Sequence, residues 1–184
     1  MTVLPADLDD SARLLRGTPI TLATVIDSSG GATTAVKQYA ARDAVRRGAR
    51  IVEAAIHTRR MLSREFRSIE SELQQLAAAC HEGQAIFRLA VPRWESNTEE
   101  FEILTARLAR RAGVDALSTD DLPSAQRLIG LSRGGFRVFL RAPAADAGQI
   151  LAARDGGCVG AIVASETPEN LLADLVSRSA EASG

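Results

Sequence analysis

The chain has 184 residues, 46% of them hydrophobic and 24% charged, with a net charge of −1, which is the composition of a globular domain with a sizeable core. Acids and bases alternate along it, so no basic stripe suggests nucleic acid, and no apolar run approaches the roughly 18 residues of a membrane helix. The opening MTVLPADLDD has no signal-peptide pattern, and Cys80 and Cys158 fit no metal or redox spacing, so a reducing cytoplasm is the expected location.

In chain order, TVL (2–4) predicts a strand and 7–16 a helix; ITLATVI (20–26) and 34–47 repeat the pattern. RIVEAAI (50–56) precedes a helix over 63–82, and AIFRLAV (85–91) precedes one over 98–111. VDALS (114–118), FRVFL (136–140) and VGAIVA (159–164) are followed by helical stretches near 121–132, 144–154 and 168–180. Capping signals open three of these: Ser63 with Glu65, Asn97/Thr98 with Glu99 and Glu100, and Thr167 before Pro168 and Glu169. Gly48, Gly83, Gly113, Gly134/Gly135 and Gly156/Gly157 follow the helices, where left-handed caps are wanted. Seven βα units predict a parallel sheet, either curled as a barrel or open and doubly wound, and the pattern alone leaves both standing. One domain over 1–184 with a flexible tail at 178–184 is expected, and no Gly-rich phosphate fingerprint follows the first strand.

The stretch "ITLATVIDSSGGATTAVKQYAARDAVRRGARIVEAAI" resembles the deoxyribose-phosphate aldolase family, Schiff-base aldolases on (β/α)₈ barrels, and "AGVDALST" is similar to a later family stretch. From Leu4 to about Ser165 the order of elements is kept. The resemblance implies a TIM-type barrel, incomplete at about seven βα units, with the family's first strand missing and two edges that a second copy, a partner chain or helix 7–16 would cover. It also places the Schiff-base lysine on Ser118 and the second active-site lysine within FRVFLRA, at a stretch that holds only Val138, Phe139, Leu140 and Arg141. The family's phosphate-binding glycine pair becomes Ala142-Pro143-Ala144, and Ser165 is the one hydroxyl left in IVASE. Lys37 is the only lysine in the chain; in the family the lysine at this place is not the nucleophile, so it reads as a solvated helix residue or a local ion pair.

Barrel chemistry sits at the C-terminal ends of strands. That rule selects Asp27 and Ser28, His57 and Thr58, Arg93 and Trp94, Ser118, Thr119 and Asp120, Arg141, and Ser165. Glu53 lies inside an apolar strand, sharing a face with Ile51, Ala55 and His57, and aligns with the family's catalytic aspartate. Arg88 on the next strand is its expected partner, as a structural ion pair or as an acid/base held by an arginine. Catalytic candidates are therefore Glu53, His57 and Ser118; substrate-binding candidates are Arg88, Arg93, Arg141, Asp27 and Thr119. His81 reads as a helix-dipole cap. No cofactor or metal is expected.

Three functions follow. The first is a barrel that binds a small polar or anionic metabolite and acts by acid/base chemistry through Glu53, in a specialised biosynthetic pathway. A second is an inactive scaffold that binds a partner, and a third is a true aldolase using Lys37. A small-molecule ligand and self-association, or a partner chain over the open edge, are the expected partners.

Overall fold

The computed structural model describes residues 1–95, 98–142 and 147–163. The predicted strands are all present: β1 (Thr2–Val3), β2 (Ala23–Asp27), β3 (Ile51–Ala55), β4 (Ile86–Ala90), β5 (Ala116–Thr119), β6 (Arg137–Ala142) and β7 (Gly160–Val163). The helices are α1 (Leu8–Leu14, after a 3₁₀ turn Pro5–Asp7), α2 (Thr34–Arg46), α3 (Thr58–Leu62), α4 (Phe66–His81), α5 (Thr98–Ala112), α6 (Leu122–Ser132) and α7 (Ala147–Asp155). The helix expected at 168–180, its Thr167 cap, Asn97, Ser165 and the tail lie outside the described residues.

Every ladder is parallel, and the seven strands pair in sequential order, β1 to β7. A doubly wound sheet reverses direction at a switch point; a sequential order is that of a barrel wall. The open-sheet alternative is thereby removed. Among the described residues no ladder joins β7 back to β1, so the wall is a curled, incomplete barrel of seven strands. No helix among them is long and apolar enough to cross a membrane.

Strand parity divides the sheet into two faces. Val52, Ala54 and Ile56 join Phe87, Leu89 and Leu117 in a buried core with the helices, where Leu73, Leu76 and Cys80 of α4 contribute. The other face of β3 carries Ile51, Glu53 and Ala55, with Glu53 in register with Arg88 and Ala55 with Ala90, the partner of Ser118. That face lines the barrel interior. Outside, α1 leans on the end of α2, through an Arg47–Asp9 ion pair of 2.9 Å and Ala12 against Gly48. It therefore sits on the β2 side of β1 rather than across the free edge.

Two local expectations are corrected. The helix foreseen over 63–82 is two helices, because His57 caps α3 through Nδ1, which accepts from the Arg60 N–H, and the chain then breaks at Arg64, φ 59°. Ser63 ends α3 instead of opening a helix, and Glu65 precedes α4 without a side-chain cap. After α4 the left-handed residue is Gln84 (φ 59°), not Gly83. Glycine is needed at 83 for another reason: a Cβ there would lie 2.1 Å from Val45 Cγ1 of α2.

Candidate functional site

The interior polar cluster is built by adjacent strands. Arg88 Nε donates to Glu53 Oε2 at 2.5 Å, and Ser118 Oγ donates to the same oxygen at 2.9 Å. Arg141 Nη1 lies 3.6 Å from the other Glu53 oxygen, Oε1, and its Nε donates to Asp120 at 2.7 Å. Glu53 and Arg88 are each only 4% exposed. A carboxylate so deep is stable only with partners, and three side chains surround it. Phe139 of β6 lies beneath the Arg88 guanidinium, 5.3 Å from ring centroid to Cζ, a cation–π contact that further orients it.

Above this layer, at the C-terminal ends of the strands, a cavity of about 490 Å³ is lined by Ala55, Ala90, Arg93, Asp120, Arg141 and Ile162, among others. Arg141 links the two levels, bonded to Asp120 at the mouth and facing Glu53 below. Arg93 is exposed on the cavity rim and makes no ion pair with a described residue.

The remaining candidates separate from this cluster. Thr119 shares the helix-facing side of β5 with Leu117; its hydroxyl is buried with no partner among the described residues, away from the cavity. His57 does not share the Glu53 face, because β3 ends at Ala55 and the chain turns into α3. It lines a separate surface cavity with Ser29, Gly30, Gly31 and Arg59. Trp94 is 6% exposed and packs on Phe101, with centroids 4.8 Å apart, so it is core rather than mouth. His81 pairs with Asp115 at 2.8 Å.

Asp27 organises its own loop. Its Oδ1 accepts from the Ser29 and Gly30 N–H groups and its Oδ2 from Ala32 N–H, at 3.0–3.1 Å. Burial works against its ionisation, but the Ala32 and Ser29 hydrogen bonds and the Lys37 charge prevail and hold the carboxyl below the usual range. Lys37 is not solvated. Its side chain is 0% exposed, and Nζ lies 2.8 Å from Glu72, 3.3 Å from Asp27 and 3.3 Å from the Gly30 carbonyl. Sequence reasoning missed Glu72, which also takes Thr34 Oγ1 (2.8 Å) and Arg60 (3.3 Å). Its signal was present: Glu72 follows Ile69 by three and precedes Leu76 by four, inside the apolar stripe of α4. Among the described residues no group of three or more His, Cys, Asp or Glu could hold a metal.

A sequential parallel βα series with an acid buried in its interior and a polar mouth at the strand ends defines a wall of the TIM-barrel type. The deoxyribose-phosphate aldolase of Clostridium perfringens (strain SM101) is 27% identical over 132 residues, covering 71% of this chain and 54% of that protein. The aldolase QR15 superposes with a TM-score of 0.81 at 18% identity, over 89% of this chain and 76% of that one. The tetrameric deoxyribose phosphate aldolase of Aeropyrum pernix gives 0.78 at 19% identity, over 97% and 76%. No family model matches the chain. The chain is similar to deoxyribose-phosphate aldolases in sequence and in fold, and spans about half the length of the curated relatives it matches.

Proposed function

We propose that this protein binds a small anionic metabolite at the C-terminal mouth of the barrel and does so without a lysine Schiff base. The observation that carries this is the mouth itself: Arg93 stands on a cavity of about 490 Å³ and makes no ion pair with a described residue, while Asp120, the acid in the lining, is taken up by Arg141. The chain's one lysine supports the second half, since its amine is 0% exposed and held by two carboxylates. Arginine stays protonated at any working pH and cannot replace an amine as carbonyl nucleophile.

Acid/base chemistry by Glu53 is the second reading. Oε2 is committed to Arg88 and Ser118, but Oε1 has only Arg141 at 3.6 Å, which leaves that oxygen able to take a proton from a ligand that displaces Arg141. Self-association through the free edges of β1 and β7 belongs to the same proposal, and sedimentation of the purified chain measures it.

Calorimetry with inorganic phosphate and deoxyribose 5-phosphate tests the binding. Arg93→Met and Arg141→Met are expected to weaken it by about tenfold each, the value of a charge-assisted hydrogen bond. Borohydride trapping with the same sugar phosphate, read by peptide mapping, should leave Lys37 unmodified. A sugar-dependent adduct on Lys37 refutes the proposal, and turnover lost in Glu53→Gln establishes the second reading.

A further inference from the structure

The interior holds a second chamber that the mouth proposal leaves unused. It lies toward the N-terminal ends of the strands and opens between β1 and β7, with a volume of about 440 Å³. Ala23, Ile51, Phe139 and Ile162 give it apolar surface, Met1, Thr2 and Thr21 stand on the β1 side, and among the described residues Arg88 is its only charged side chain. On β3 the level of Glu53 separates Ile51, in this chamber, from Ala55 at the mouth; β7 supplies Ile162 and Val163 to both.

Arg88 is incompletely used. Its side chain is 4% exposed, yet among the described residues only Nε has a hydrogen-bond partner, Glu53. Nη2 is buried with none. Buried donors in folded proteins nearly always find an acceptor, so an orphan on a cation at the wall of a cavity marks a missing group. Phe139, 5.3 Å away, fixes the plane of the guanidinium, and Glu53 occupies one edge of it. The remaining N–H groups form the planar fork that fits a carboxylate.

We infer that this chamber is a binding site for a small monocarboxylate with an apolar body. The carboxylate takes the unused N–H groups of Arg88, and the body packs on Ile51, Phe139 and Ile162. Charge decides between carboxylate and phosphate. Glu53 already balances Arg88, and Arg141 stands 3.6 Å from the other Glu53 oxygen. Asp120 in turn holds Arg141, so the four charges already balance, and one added negative charge on Arg88 costs less than the two of a dianion. The volume lies within the range of small-molecule sites, and the apolar wall rejects a sugar.

The inference is independent of the mouth, and calorimetry on the full chain separates the two. Octanoate and benzoate are the probes, with 1-octanol as the uncharged control and inorganic phosphate as competitor. Saturable carboxylate binding is expected, at least tenfold tighter than octanol and unchanged by saturating phosphate. The Glu53→Gln/Arg88→Met pair, which removes both charges together, should weaken it at least tenfold. Ala23→Leu fills the chamber while keeping the ion pair, and should do the same; far-UV circular dichroism checks that each variant folds. Absence of saturable binding to the wild type, equal affinity for octanol, retention of affinity in folded Ala23→Leu, or displacement by phosphate would each overturn the assignment. Displacement by phosphate would leave the mouth proposal standing.

Discussion

Replacing Lys37 by methionine tests whether the lone lysine is a structural element. The ammonium is buried among Glu72, Asp27 and the Gly30 carbonyl, at 2.8, 3.3 and 3.3 Å. Methionine keeps most of the volume and removes the charge, leaving two carboxylates that are 3% and 6% exposed. Breaking a buried ion pair from one side costs about 3–5 kcal/mol. Neither acid becomes fully bare, because Glu72 keeps Arg60 and Thr34 while Asp27 keeps its backbone N–H donors. The lower end, about 3 kcal/mol, is therefore expected, which for a chain of this size lowers Tm by about 6–12 °C. Urea and thermal unfolding followed by circular dichroism at pH 7 measure it. The double variant Lys37→Met/Glu72→Gln should recover about 1 kcal/mol or more, since one stranded charge is gone. Lys37→Arg should also destabilise, because a planar fork cannot serve three acceptors in a space shaped for an ammonium. A Lys37→Met protein within 1 kcal/mol of wild type would refute the structural role.

Asp27→Asn should narrow its deficit against wild type as pH falls. The folded carboxyl is held below its ordinary value, so its stabilisation is full above the unfolded value of about 4 and is lost as pH drops through the folded one; urea midpoints between pH 7 and 3 would show the two proteins converging. Burial, with the Asp115 charge, pushes the Cys80 thiol up to about 12. Disulfide-exchange reagents at pH 8 should label it only after unfolding, and rapid labelling of the native chain would contradict the packing. Gly30→Ala should cost more than about 2 kcal/mol, because φ is +72° and the new Cβ would stand 2.4 Å from the Ile56 carbonyl oxygen. A thermal melt decides this, and an unchanged Tm would mean that the loop has room to shift.

The strands were readable as short, mostly apolar runs, and the central ones, β3 to β5, are buried along most of their length, as parallel strands are. Glu53 and Arg88 were readable as charges inside such runs, and the ladder register puts them side by side. Elsewhere parity and chain direction decided against the end-of-strand rule. Thr119 follows Ser118 and so must face the helices, while His57 lies two residues past the end of β3, where the chain already turns. Of the two readings of Lys37, the ion pair holds and the solvated surface, which its residue type suggests, does not. Its spacing says otherwise, since Lys37, Ala41 and Ala44 stand at i, i+4 and i+7 and together form the buried face of α2. Small alanines on that face let α4 approach, and Glu72 then meets the ammonium. Which acid would do so depended on the lateral order of helices, which no local pattern carries.

Each cation facing the barrel interior is an arginine, and this has a consequence for what the barrel can do. An amine in an apolar interior can lose its proton and attack a carbonyl; a guanidinium holds its charge and its plane. Arg88 and Arg141 meet opposite oxygens of Glu53, and Arg141 gives its Nε and Nη2 to Asp120, so two guanidiniums and two carboxylates balance while Arg88 and Arg141 line separate chambers. That arrangement suits holding anions better than forming covalent adducts. The two chambers differ in what accompanies the arginine: Asp120 and Arg93 at the mouth, Thr2, Thr21 and the Phe139 ring below. Two cavities thus lie on the two sides of one buried ion-paired layer, Arg141 lining the upper one and Arg88 the lower.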